Sequence, residues 1–324
     1  MSVDVQQQVK RGVERLLAES DVALAFRTQR DLLGRRVDPT VTWSLPEVER
    51  TLRRQAPDGR FARGGLRPVR SAEDYDQLET FEVLLELVSK VGLGIEHRAI
   101  ARAADWLLGR QTQAGDFRGI LGSQYTPYYS AAIAAVLVEA GVDDPRIDRC
   151  MRWLLSMRQA DGGWAIPVRT RAEGSNLSRA MTLAKPLAPD RERPSSHLVT
   201  GIVLRAFAAH PRWRRHQEIA PACRLLASRM FQADAYADRR AASYWRKLAF
   251  PFRWTDALSA LDALSLLGVS ADDPDVERGL RWLCRKQRRD GSWASGYAHA
   301  KDPRAALWVT FAACRTLARF CLGG

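Results

Sequence analysis

Apolar positions along this chain follow two alternating patterns. Segments near 96–112, 145–159 and 274–288 place Leu, Ile, Val and Trp at helical three- and four-residue spacing among arginines and acids, which predicts helices with one buried face. Between them lie runs that are apolar nearly all round: Tyr129–Val138, His197–Phe207, Ala257–Leu264 and Trp308–Cys314. A helix apolar on every side is buried on every side. The alternation predicts an outer ring of helices near 5–19, 44–55, 96–112, 145–159, 215–231 and 274–288. An inner ring falls near 21–33, 74–92, 126–141, 197–210, 254–268 and 304–321, which makes six hairpins.

The ends of the amphipathic helices repeat. Trp106…Gln111…Gly115-Asp-Phe117, Trp153…Gln159…Gly162-Gly-Trp164 and Trp282…Gln287…Gly291-Ser-Trp293 share one spacing, with Gly nine residues after Trp and an aromatic eleven after it. A weaker copy is Gln55-Ala-Pro-Asp-Gly59-Arg-Phe61, and a degenerate one runs from Leu225 to Tyr236, with Asp234 in place of the Gly. Trp and Leu bury a helix face, Gly supplies the left-handed residue that stops it, and Gln is expected to bond the free carbonyls at that end. Asp144-Pro145 and Asp273-Pro274 predict capped helix starts.

A chain of 324 residues exceeds the usual single core, but hairpins that pack only on their neighbours absorb the length. We expect one domain over 1–324, with 1–43 as an N-terminal hairpin and 165–194 and 237–253 as long loops over a cavity. No run approaches the roughly 20 apolar residues of a membrane span, and the first twenty residues are polar, so a cytoplasmic location is expected. Five scattered cysteines without a CxxC pair read as core thiols. The net charge of +13 comes from 44 Arg and 6 Lys spread along the whole chain rather than gathered in one stripe. Nucleic acid is therefore not expected as a partner, while peripheral contact with a membrane stays open; the charge does not speak to oligomeric state.

Arg278-Gly279-x-x-Trp282-Leu283-x-x-x-Gln287-x-x-x-Gly291-x-Trp293 resembles the QW repeat of squalene and oxidosqualene cyclases, which recurs in relaxed form in protein prenyltransferase β subunits. Arg102-Ala103-x-x-Trp106 and the copy at Trp153 fit nearly as well, so the resemblance covers the chain from about residue 50 onward. It implies an all-α (α/α)6 toroid of inner and outer helix rings, with a cavity at the N-terminal ends of the inner helices. A small apolar or isoprenoid ligand is the partner it implies.

The active-site motifs of that superfamily are not recognisable. Its cyclases protonate an alkene with Asp-x-Asp-Asp, and the nearest strings here are Asp74-Tyr75-Asp76 and Asp272-Asp273-Pro274-Asp275. Asp148, Cys150 and His197 match the residue types of the prenyltransferase zinc site, but Cys150 belongs to an outer helix; no metal or other cofactor is expected.

The heads of the inner helices carry Tyr75, Tyr125, Tyr128, Tyr129, Trp254 and Trp308 as candidate ligand contacts. His197, Asp256 and Asp76 are the acid–base candidates, since burial and a helix N-terminus shift the pKa of a group standing alone at an apolar helix head. Ser195, Ser196 or Thr255 as plain N-caps explain the same strings. Arg246 and Arg253, on the second loop, suit the phosphates of an isoprenoid diphosphate. The expected function is binding of an apolar, isoprenoid-type ligand in the central cavity, with or without its cyclisation or transfer. The alternative is a non-catalytic scaffold for a lipid or partner. A carbohydrate-active toroid with paired acids is disfavoured by the corners.

Overall fold

The computed structural model describes residues 2–62, 74–171, 185–297 and 304–322. Six helices form the inner ring: α2 (Val22–Asp31), α4 (Tyr75–Glu86, running into a π turn over Leu87–Val91), α6 (Pro127–Glu139), α9 (His197–Ala209), α11 (Ala257–Leu266) and α13 (Ala305–Leu322). Outside them lie α1 (Ser2–Leu17), α3 (Pro46–Leu52), α5 (Arg98–Leu108), α7 (Pro145–Ser156), α10 (Ala220–Ser228) and α12 (Pro274–Arg285). The architecture is the all-α toroid of the sequence reading, and a five-residue helix, α8 (Pro167–Arg171), is added within the first long connection. Residues 172–184 of that connection lie outside the described residues. Among the described residues no helix is long and apolar enough to cross a membrane.

The inner helices pack side by side around a ring: α2 on the π turn of α4, then α4 on α6, α6 on α9, α9 on α11, α11 on α13, and α13 back on α2. α1 lies along α13, so the first and last hairpins close the circle. The starts are capped as the Asp-Pro pairs predict, with Asp144 accepting from Arg146 N at 2.8 Å and Asp273 from Asp275 N at 3.0 Å.

Three regular corners lock one hairpin to the next, while Gln159 Nε2 of the fourth donates to Asp190 O and Arg193 O in the connection that follows it. Gln55 Nε2 donates to Ala99 O at 2.7 Å, Gln111 Nε2 to Arg146 O at 2.7 Å, and Gln287 Nε2 to Gln8 O at 2.8 Å, in every case reaching the following outer helix. The same amides also donate to Gly59 O, Gly115 O and Gly291 O, so the glutamine does serve its own corner, but at the turn and not at the last carbonyls of the helix. Backbone N–H groups already occupy those carbonyls, as Gln111 N does with Leu108 O. The glycine makes the approach possible. At Gly115 (φ +108°) a Cβ would stand 2.8 Å from Arg149 O, and at Gly291 (φ +85°) 2.6 Å from Arg11 O.

The corner aromatics are then clasped from inside. Phe61 N, Phe117 N, Trp164 N and Trp293 N donate to hydroxyls of Thr80, Ser130, Thr200 and Thr310 at 2.9–3.0 Å, one from each of α4, α6, α9 and α13. Thr310, which the sequence places at an inner-helix head beside Trp308, thus serves a corner. Trp164 and Trp293 also donate their indole N–H back to Leu154 O and Leu283 O, and both are fully buried.

Candidate functional site

The fifth hairpin breaks the rule and shapes the interior. With Asp234 where the other corners have Gly, the left-handed residue is Phe231 (φ +67°), and Trp245 takes the aromatic place by donating its indole N–H to Gln232 O at 2.9 Å. Asp234 is buried and accepts from Ser196 Oγ at 2.9 Å and Leu198 N at 3.0 Å. His197 Nε2 stands 3.4 Å from the same carboxylate, and its ring lies 4.6 Å from that of Trp245. Burial pulls the His197 pKa below its ordinary value, with Asp234 opposing. The histidine therefore pins the irregular corner to the head of α9.

From this corner the chain turns into the ring. Phe250 and Phe252 descend from the N-terminal side, their rings edge to face at 5.2 Å; Phe250 stacks on Trp308 at 6.1 Å and meets Phe311 at 5.8 Å. The carboxylate of Asp256 holds the descent in place. Its Oδ1 accepts from Ser259 N at 2.8 Å, closing a capping box on α11, and its Oδ2 accepts from Ala249 N at 3.0 Å. Burial pushes its pKa up to about 7, with both N–H donors working against that rise.

Beneath the two phenylalanines a cavity of about 60 Å³ lies on the ring axis, with walls from all six inner helices. Its lining combines apolar residues, among them Phe81, Leu85, Ala132 and Val136, with the ionic Arg27, Glu139, Arg205, Asp262 and Arg315. Asp262 accepts from Arg315 at 3.1 Å, Thr316 at 3.1 Å and Arg319 at 2.8 Å. Burial alone would raise its pKa, but the two guanidinium groups bring it below the usual carboxylate range.

None of the residues picked from the sequence lines this cavity. Several do meet above it. Tyr128 donates its hydroxyl to Arg253 O, its ring lies 6.3 Å from Trp254 and 4.8 Å from Tyr129, and Tyr129 lies 6.5 Å from Phe81. Burial raises the pKa of Tyr128. Arg239 lies over the Trp254 ring at 3.7 Å and bonds the Tyr297 hydroxyl.

The others disperse. Tyr125 turns outward to Trp153 of α7 at 5.9 Å, Tyr75 is half-buried at the start of α4, and Asp76 lies 3.3 Å from Arg60. Arg253 is paired with Glu86 at 2.8 Å and Glu82 at 3.5 Å, whereas Arg246 is exposed. Asp148 accepts from Trp213 Nε1 at 2.5 Å, and among the described residues no three metal-binding side chains gather.

The cavity residues missed by the sequence reading had a signal. Arg205, Asp262 and Arg315 each interrupt a run that is otherwise apolar all round, and a charge there must face either the axis or a partner.

Residues 73–184 match the family model of the squalene-hopene cyclase C-terminal domain. No curated protein matches the chain. Among solved structures it is similar to a variant of the type II terpene cyclase MstE from Scytonema in complex with geranylgeranyl dihydroxybenzoate, its substrate. That match has 12% identity and a TM-score of 0.46 over 99% of this chain and 98% of that one. A protein from Actinoplanes is similar at 15% identity and a TM-score of 0.44, over 98% of this chain and 99% of that one. At these identities and scores neither likeness bears on what this chain binds.

Proposed function

Starting from the chain as a divergent member of the terpenoid-cyclase superfamily, we propose that its toroid binds an isoprenoid or similarly apolar ligand along the ring axis, in the space now taken by Phe250 and Phe252. The observation that carries this reading is the filling itself. Two aromatic side chains from an irregular connection, rather than from a helix, occupy the middle of a ring walled by Phe81, Trp308 and Phe311. The cavity of about 60 Å³ beneath them is far below the roughly 300 Å³ at which ligand pockets begin, so the ligand enters only as the pair withdraws.

Binding is favoured here over alkene protonation. Both oxygens of Asp256 accept backbone N–H bonds and hold the segment, and the group does not border the cavity on the axis. His197 is likewise engaged with Asp234 and Trp245. These two engagements also favour the second reading, a toroid that binds without turnover.

The test is a thermal-shift titration of the full chain with isoprenols of increasing length and linear alkanols of matched carbon number, on the wild type and on Phe252→Ala. We expect shifts for isoprenols that exceed those for alkanols and grow in the variant, which no longer has to expel that ring. Equal shifts for both ligand classes, or none with either protein, would sink the proposal.

A further inference from the structure

Four guanidinium groups converge at the floor of the ring, on Arg27, Arg205, Arg315 and Arg319, and their carboxylate partners are unevenly shared. Asp31 takes Arg27 at 2.8 Å as well as Arg30, and Asp262 takes Arg315 and Arg319. Glu139, the third carboxylate, is exposed and shares the cavity wall with Arg205 without pairing to it. Arg205 is left over. Among the described residues no carboxylate lies within 4.0 Å of it; its guanidinium stands over the Phe252 ring at 5.5 Å, and its Nη1 is buried without an acceptor. Nε of Arg315 is also buried without one.

Arg205 is half-buried with Nη1 cut off from solvent and unpartnered, an arrangement that is costly and whose ordinary remedies are a carboxylate or a bound anion. Glu139 and Asp262 share the wall, but neither comes within 4.0 Å of Arg205, and the cavity bordered by Arg27, Arg205 and Arg315 holds a few waters or one group of four oxygens about a central atom. We infer that these three arginines form a binding site for a tetrahedral oxyanion, with Arg205 as its main ligand. Forked donors suit such an ion, and the ring of apolar side chains above keeps competing water away.

The oxyanion is either a free ion or the phosphate end of a longer ligand. Only the second source rests on the isoprenoid reading.

The experiment is equilibrium dialysis and thermal shift of the full chain with inorganic phosphate against chloride at matched ionic strength, followed by a prenyl monophosphate against the parent prenol. Arg205→Met keeps the volume, removes the charge and breaks no ion pair, and Arg246→Met is the surface control. We expect saturable one-to-one phosphate binding by the wild type and by Arg246→Met, weakened about tenfold or more in Arg205→Met. Without phosphate that variant should melt at or above the wild-type temperature, since it has lost a half-buried, unpaired guanidinium.

A wild type that ignores phosphate but binds the prenyl phosphate about tenfold more tightly than the prenol, with the preference lost in Arg205→Met, assigns the site to a ligand's head group. Phosphate binding without any prenol or prenyl phosphate binding keeps the anion site and removes the channel ligand. Prenol and prenyl phosphate bound equally, with no phosphate binding, overturn the anion site and leave the channel ligand standing. Phosphate binding that is unchanged in folded Arg205→Met overturns the site as well.

Discussion

The corners at 55–61, 111–117, 159–164 and 287–293 and the irregular one at 231–245 face the same task, stopping an outer helix and sealing its end against the inner ring. The four regular corners do it with a buried aromatic whose N–H is held by a hydroxyl of an inner helix. The fifth uses a charged residue, Asp234, to hold His197 and the head of α9, and draws its aromatic, Trp245, from farther along the chain. The regular corners end where they began, at the rim. The irregular one continues inward and delivers Phe250 and Phe252 to the axis. Where the repeat is kept the ring is architecture, and where it lapses the chain has material to place inside.

The comparison breaks if the regular corners prove dispensable. Trp164→Ala removes a fully buried indole and its bond to Leu154 O and should cost roughly 3–5 kcal/mol by denaturant unfolding. Phe250→Ala opens onto an existing cavity and has less packing to lose, so its cost should be smaller by about 1 kcal/mol or more. Equal costs would erase the distinction. Gly115→Ala meets Arg149 O and a left-handed backbone and should cost roughly 2 kcal/mol, against about 1 kcal/mol for Gly268→Ala, whose Cβ would meet nothing within 4 Å.

The irregular region should carry a pH signature the corners lack. Asp256 has a folded pKa of about 7 against an ordinary value of 3.8, so between those values the folded state keeps a proton that the unfolded chain has released. Stability tied to this group is therefore lost as pH rises from about 4 to about 7, by up to about 1.4 kcal/mol per unit. The difference between wild type and Asp256→Asn should show that slope, and a flat difference would mean the carboxylate titrates normally. The smallest effect is expected at the rim: exposed Arg246→Ala should change stability by no more than about 0.5 kcal/mol and leave isoprenol shifts as they were. A lost shift would return the site to the loop arginines.

Read alone, the sequence determined the hairpins, their order and the corners, because the signals are local. A Trp, a Gln and a Gly at fixed spacing stop a helix, and apolar faces at helical period say which helices are covered once and which on all sides. The head of α9 was legible as a cap for the same reason, at Ser196, whereas at α11 the cap is Asp256, the acid–base candidate, and not its neighbour Thr255. The rotation of those helices about their own axes was not. α6 is apolar around its whole circumference, so nothing in its pattern distinguishes Tyr128, which faces Trp254, from Tyr125 just before it, which faces α7. The interior was decided only by tertiary structure, since its contacts join residues far apart along the chain: Tyr128 with Arg253, Arg27 with Val88, Arg319 with Asp262. Closing the ring brings together charges that lie on different helices, and the one left unpaired, Arg205, becomes visible only when all six walls are in place.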